Sequence, residues 1–135
     1  MALAIDRHEH HDVVKEALAE HTAPNSILFC RATQMSFLRL LTTAVIYKPY
    51  NLPVLTNQQA WKVFELFESM PNVAFVEESG DIDKTWRTLS ALPTSSPKVW
   101  MDTYLATFAI SHDYTFLTLD LNFRAYPNLK LRLLS

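Results

Sequence analysis

Gly80 is the only glycine in this 135-residue chain, and that fact closes off much of what an α/β sequence can become. A dinucleotide fingerprint and a phosphate-cradling Walker loop each need several glycines at fixed spacing. Rossmann oxidoreductases and P-loop NTPases are therefore excluded. Cys30 is alone as well, so neither a disulfide framework nor a cysteine zinc site can be assembled, and a cytoplasmic protein is expected. No run reaches the roughly 18 apolar residues of a membrane span, and the N-terminus lacks the charged-then-apolar order of a signal peptide. The length fits a single domain over residues 1–135, and a hydrophobic fraction of 49% suits a packed core rather than disorder. The net charge of −2 lacks the basic footprint of a nucleic-acid binder, although a bound metal can supply positive charge locally.

The periodicity alternates between helix and strand. Asp6-Arg7-His8-Glu9 reads as a cap opening a helix to about His21, broken by Pro24-Asn25. Ile27 to Cys30 has strand length. Thr33 is placed to cap a helix through about Ile46, and Thr56 to Gln59 forms a capping box before a helix with Ala60, Trp61, Phe64 and Phe67 facing inward. Val73 to Val76 reads as a buried strand. A helix from Ile82 to Leu92 carries Ile82, Trp86 and Leu89 on one face and closes at Pro93. Pro97 suits the first turn of the next helix, which runs to about His112. Thr115 to Asp120 is a strand, and Leu129, Leu131 and Leu133 alternate with Lys130 and Arg132 as a last, edge-like strand. Strands separated by helices, with little sign of tight hairpins, predict an α/β fold with a parallel, doubly wound sheet.

In such sheets ligands sit beyond the carboxyl ends of the strands, which is where Asp120 falls; the same residue also fits an aspartate opening a turn with Asn122. Asp102 borders an apolar stripe of Val99, Leu105, Ala106 and Ala109 on its helix. A carboxylate there needs compensation by a cap, an arginine or a metal, unless it is simply an exposed acid favoured by the helix dipole. Two carboxylates meeting at the open end of a parallel sheet suit Mg²⁺ or Mn²⁺, hard ions that take oxygen ligands and keep several waters. The His8-Glu9-His10-His11 cluster has no evident further zinc partners and fits a solvated helix start. Trp61, Phe64 and Phe67 read as core rather than as a base-stacking platform. Arg31, Arg39, Lys98 and Arg124 are candidates for phosphate contacts, with plain surface charge as the alternative.

Three segments together carry a family pattern: Arg31-Ala-Thr-Gln34-Met-Ser-Phe37-Leu38-Arg39-Leu-Leu-Thr42, Trp100-Met-Asp102-Thr-Tyr104-Leu-Ala106 and Thr118-Leu-Asp120-Leu-Asn122-Phe123. In order and spacing they resemble VapC-type PIN domains, over essentially residues 2 to 134, and the Trp61 helix and Tyr126-Pro127-Asn128-Leu129 fit as well. The resemblance implies a three-layer α/β/α fold and a Mg²⁺- or Mn²⁺-dependent endoribonuclease toxin. Its expected substrate is single-stranded or loop RNA, often tRNA; its expected partners are a VapB antitoxin and a second copy in a homodimer. By the same resemblance Asp102 and Asp120 take the third and fourth acidic positions, with Thr118 and Asn122 as supporting polar groups. Gln34 stands at the second position, where its carbonyl can ligate or orient a water but brings no charge. The family's opening strand, ending in Asp-x-Asn, has no counterpart after Met1, so an N-terminally truncated chain lacking that central strand is expected. An impaired module that keeps antitoxin binding or dimerisation is the competing expectation. A phosphotransfer domain with Asp120 as acceptor is disfavoured, because Asp120 lies too near the C-terminus for the further strands it requires.

Overall fold

With so little glycine, the chain turns its left-handed corners on Asn25, Asn51 and Asp113, at φ 58°, 53° and 57°. Short polar side chains that bond locally are the usual substitutes for glycine there. Gly80 itself is not in that region. The protein is described by a computed structural model covering residues 11–134. The Asp6 cap and His8-Glu9-His10, with the side chain of His11, lie outside the described residues. The chain divides into two compact units, Met1–Glu77 and Glu78–Ser135.

In the first unit, α1 (His11–Ala19) leads to β1 (Ile27–Phe29), then α2 (Arg31–Leu41), the short α3 (Ala44–Tyr47), α4 (Asn57–Glu68) and β2 (Val73–Phe75). β1 and β2 pair in parallel with Ile27 opposite Val73 and Phe29 opposite Phe75. Cys30 rather than Thr33 is the N-cap of α2; Thr33 stands at the third helical position and accepts the Cys30 N–H through its hydroxyl at 2.9 Å. α2 stops at Leu41 instead of reaching Ile46. The Thr42 hydroxyl donates to the Leu38 carbonyl at 2.9 Å and that of Thr43 to the Arg39 carbonyl at 2.5 Å. Such bonds compete with the helical ladder, and Thr43 becomes the cap of α3.

The Thr56 capping box is present in both directions: Gln59 N–H to the Thr56 hydroxyl at 3.1 Å, and Thr56 N–H to Gln59 Oε1 at 2.9 Å. Ala60 and Phe64 are buried on α4. Phe64 meets Phe29 edge-on at 5.7 Å, and Phe37 meets Phe67 at 5.2 Å. Such pairs add about 0.5–1.5 kcal/mol each beyond burial. Trp61, expected inside, is 48% exposed, because it stands about 100° around the helix from Ala60. β2 is half-buried with Phe75 exposed, rather than fully buried as expected.

The second unit holds α5 (Ile82–Ser90), α6 (Val99–Ser111), β3 (Thr115–Thr118) and β4 (Lys130–Leu133), with a 3₁₀ turn at Leu121–Ala125 between the strands. β3 and β4 are parallel, Thr115 opposite Lys130 and Thr118 opposite Leu133. Trp86 of α5 docks on α6, its indole N–H donating to the Thr103 hydroxyl at 3.1 Å and the Trp100 carbonyl at 3.2 Å. Ala106 and Ala109 of α6 form the core with Phe123 and Leu129. Their small side chains let the 3₁₀ turn and β4 close onto the helix. Asp113 turns the chain from α6 into β3, and its carboxylate pairs with Lys130 at 2.7 Å. The parallel strands are thus arranged as two pairs, one in each unit. Among the described residues no helix is long and apolar enough to cross a membrane.

Candidate active site

Asp102 is the one charged residue in the thirteen of α6. The helix is apolar around most of its circumference, and Thr103 and Thr107 are buried with their hydroxyls bonded to the carbonyls one turn back, at 2.6 Å each. A threonine satisfied in this way can sit in a core without an orphaned group. Asp102 has no such internal outlet, and it lies one turn before Ala106, which is fully buried.

Asp120 comes within electrostatic range of Asp102 from the end of β3. The Thr118 hydroxyl accepts the Asp120 N–H at 3.0 Å, and Asp120 Oδ1 accepts the Asn122 N–H at 2.9 Å. Asp120 is thereby the N-cap of the 3₁₀ turn. The spacing Thr-x-Asp-x-Asn has a mechanical reason: two local bonds fix the backbone beyond the strand and aim the carboxylate. Thr118 contributes its side chain to this turn and Asn122 its backbone. Phe123, buried in the next position, anchors the turn to α6 through the core.

Burial pushes the Asp102 carboxyl above the usual range, and the charge of Asp120 pushes it further the same way. Tyr126, the C-cap of the same 3₁₀ turn, is the third member. Burial first, then Asp102 and Asp120, hold its phenol above the ordinary value; it stays protonated and can donate. The sequence placed Tyr126 only in the Tyr126-Pro127-Asn128-Leu129 segment that fits the family pattern, with no role in the site. Among the described residues neither carboxylate has a lysine or arginine partner. A pair of like charges without a counter-charge is what a hard divalent cation relieves, and Mg²⁺ is commonly held by one or two carboxylates with water filling the rest. No third His, Cys, Asp or Glu joins them among the described residues, so the pair fits an open, mostly hydrated ion.

No protein-family profile matches the chain. Ribonuclease VapC41 of Mycobacterium tuberculosis, from strains CDC 1551/Oshkosh and ATCC 25618/H37Rv, is 38% identical over 136 aligned residues, covering 100% of this chain and 93% of the relative. The chain belongs to the VapC ribonuclease family. The fold agrees: a chain of the crystal structure of VapBC2 from Rickettsia felis, bound to a DNA fragment from its promoter, superposes with a TM-score of 0.63. That match has 16% identity and covers 95% of this chain and 89% of the other. The PIN-like α/β fold with parallel strands, expected from the sequence, is the fold of this VapC-family chain.

Within it, the second unit gathers Asp102, Asp120, Thr118, Asn122 and Tyr126. Lys98, the N-cap of α6, and Arg124, in the 3₁₀ turn, are exposed in the same unit. Gln34, Arg31 and Arg39 belong to the first unit. Arg39 is exposed on α2, whereas Gln34 is only 7% exposed and its Oε1 accepts a hydrogen bond from Arg31 Nη1 at 2.5 Å.

Proposed function

We propose that this protein is a metal-dependent endoribonuclease toxin of a type II toxin–antitoxin system, cleaving phosphodiester bonds of tRNA or another structured RNA. The observation that carries this reading is the electrostatic proximity of Asp102, on α6, and Asp120, at the carboxyl end of β3, with no cationic partner among the described residues. Membership of the VapC family supports the reaction class. Asp102 and Asp120 hold Mg²⁺ or Mn²⁺, with Thr118 and Asn122 keeping Asp120 in place. When bound, the ion supplies activation of water and neutralisation of charge at the phosphodiester. Asp102 is half-buried, which strengthens that electrostatic effect at its own carboxylate. The protonated phenol of Tyr126 offers a hydrogen bond to a phosphate oxygen or to the neighbouring carboxylates. Arg31, Arg39, Lys98 and Arg124 contact the RNA backbone, a VapB-like antitoxin neutralises the toxin, and the protein works in the cytoplasm as a homodimer.

End-labelled tRNA incubated with the purified protein tests this reading. Cleavage is expected with Mn²⁺ or Mg²⁺, abolished by EDTA and reduced at least about 100-fold in Asp102→Asn and Asp120→Asn, on the scale of a lost catalytic group. Cleavage that survives both substitutions overturns it. The restriction of the acidic cluster to two residues among those described favours a second reading, a catalytically impaired module that retains antitoxin binding or dimerisation. That reading predicts a stable complex with a VapB-like antitoxin and no stimulation of cleavage by either ion.

A further inference from the structure

The buried amide of Gln34 has its carbonyl committed. Arg31 Nη1 donates to Gln34 Oε1 at 2.5 Å, and the guanidinium lies over the Phe75 ring with Cζ 4.6 Å from the centroid. Phe75 pairs with Phe29 across β1 and β2, so the platform beneath Arg31 is part of the sheet. Arg31 itself is the first residue of α2, immediately beyond the carboxyl end of β1. An arginine on an exposed helix normally keeps its rotamer freedom and loses it only on binding. Here one hydrogen bond and one ring contact fix the side chain beforehand.

Charge decides what this pair can receive. Arginine can only donate, so the Gln34 atom it meets must be the carbonyl oxygen, and the remaining polar atom, Nε2, also only donates. A divalent cation at Oε1 would face the guanidinium across a hydrogen-bond distance. An anion meets the opposite situation. Arg31 has no carboxylate partner among the described residues, most of its five N–H donors are not used by Gln34, and the amide adds two more. Planar guanidinium donors match phosphate oxygens in geometry as well as charge.

We propose that Arg31 and Gln34 form a preorganised donor pair that binds a phosphate of the RNA backbone, and that Gln34 is a substrate-positioning residue rather than a metal ligand. The identity of the ligand as RNA rests on the ribonuclease reading; the donor character of the pair does not. Gln34→Glu separates the two roles, because glutamate keeps an acceptor for Arg31 but replaces the amide donors with negative charge.

The test is fluorescence anisotropy of a labelled single-stranded oligoribonucleotide on the Asp120→Asn protein in EDTA, where neither cleavage nor metal contributes. Arg31→Ala, at an exposed position, and Gln34→Glu are each expected to weaken binding about 10-fold or more, as for loss of a hydrogen bond to a charged group. Arg31→Ala should also make the slope of log K against log salt shallower by about 0.7, the value for one phosphate contact on a single strand. Mn²⁺ affinity of the Asp-intact Gln34→Glu protein, measured by calorimetry, is expected to stay unchanged. A rise of about 10-fold or more in Mn²⁺ affinity overturns the proposal, as does RNA binding by Arg31→Ala within about twofold of the parent with the salt slope unaltered. If Arg31→Ala and Gln34→Glu weaken RNA binding while the wild type fails to cleave, the donor pair stands and the ribonuclease reading falls. If cleavage depends on Asp102 and Asp120 but neither change at Arg31 or Gln34 affects binding, the reverse holds.

Discussion

Phe123→Ala should weaken core and site together, because one side chain serves both. Phe123 is 4% exposed, its ring lies 4.5 Å from that of Phe116 and 5.9 Å from that of Tyr126, and it packs against Ala106 and Ala109. The alanines opposite cannot expand into the space, so truncation leaves a cavity as well as losing burial. The expected cost is about 3–5 kcal/mol. Phe123→Leu keeps most of the volume and loses the ring contacts, for about 1–2 kcal/mol. Urea unfolding measures both. In a Trp61→Phe background the remaining tryptophans, Trp86 and Trp100, report on the unit that contains Phe123. With a slope of about 2 kcal/mol/M, the alanine variant should shift the midpoint down by about 2 M with the slope unchanged. Phe123 anchors the turn that aims Asp120, so the same variant should lose RNA cleavage even where it is still folded. Asp120→Asn should lose cleavage with little change of midpoint. A cost below about 1 kcal/mol for Phe123→Ala, or equal destabilisation by Asp120→Asn, refutes this coupling of core to site.

The remaining predictions concern charge, metal and local structure. The folded-state carboxyl of Asp102 is raised, first by burial and then by Asp120. Its ionisation therefore costs stability that is absent below the unfolded carboxyl value and fully developed above the folded one. Asp102→Asn should accordingly raise the thermal midpoint at pH 7 relative to wild type, with the gain vanishing near pH 3; equal shifts at both pH values contradict this. Mg²⁺ or Mn²⁺ at about five times its dissociation constant should stabilise the wild type by about 1 kcal/mol, and calorimetric scans should show no such gain in Asp102→Asn. Thr56→Ala removes the acceptor for the Gln59 N–H and should cost about 1 kcal/mol in urea unfolding, without affecting cleavage.

What could be read from the sequence was mostly local. The start of α4 is written in Thr56 and Gln59, two residues that bond each other, so no tertiary information is needed. The end of α2 is not: threonines tolerate helix, and whether their hydroxyls capture the Leu38 and Arg39 carbonyls depends on where the following segment leads. Trp61 lies at the margin of its helical stripe, where hydrophobicity alone puts an aromatic inside, but Ala60, Phe64 and Phe67 already fill that face. In the site, Asp120 was legible from its position after a strand, and the Thr118 and Asn122 spacing carries its own hydrogen bonds. Asp102 stood out as a lone charge among apolar residues. Local sequence could not pair them, since that requires β3 and the 3₁₀ turn to close on α6 through Ala106, Ala109 and Phe123; only the family pattern set them in one site. Tyr126 was hidden for the same reason. Gln34 could be placed by family pattern, but the engagement of its carbonyl by Arg31 emerges only from the folded side chains.

A double-mutant cycle in RNA cleavage tests most directly whether Asp102 and Asp120 act as one metal-binding unit. Single-turnover rates on tRNA with Mn²⁺ are compared for wild type, Asp102→Asn, Asp120→Asn and the double variant. Two ligands of one ion are strongly non-additive, so the double variant should be no slower than the slower single one, and each single loss should be at least about 100-fold. Losses that multiply in the double variant, or cleavage that persists in all four proteins, would contradict a metal site shared by Asp102 and Asp120.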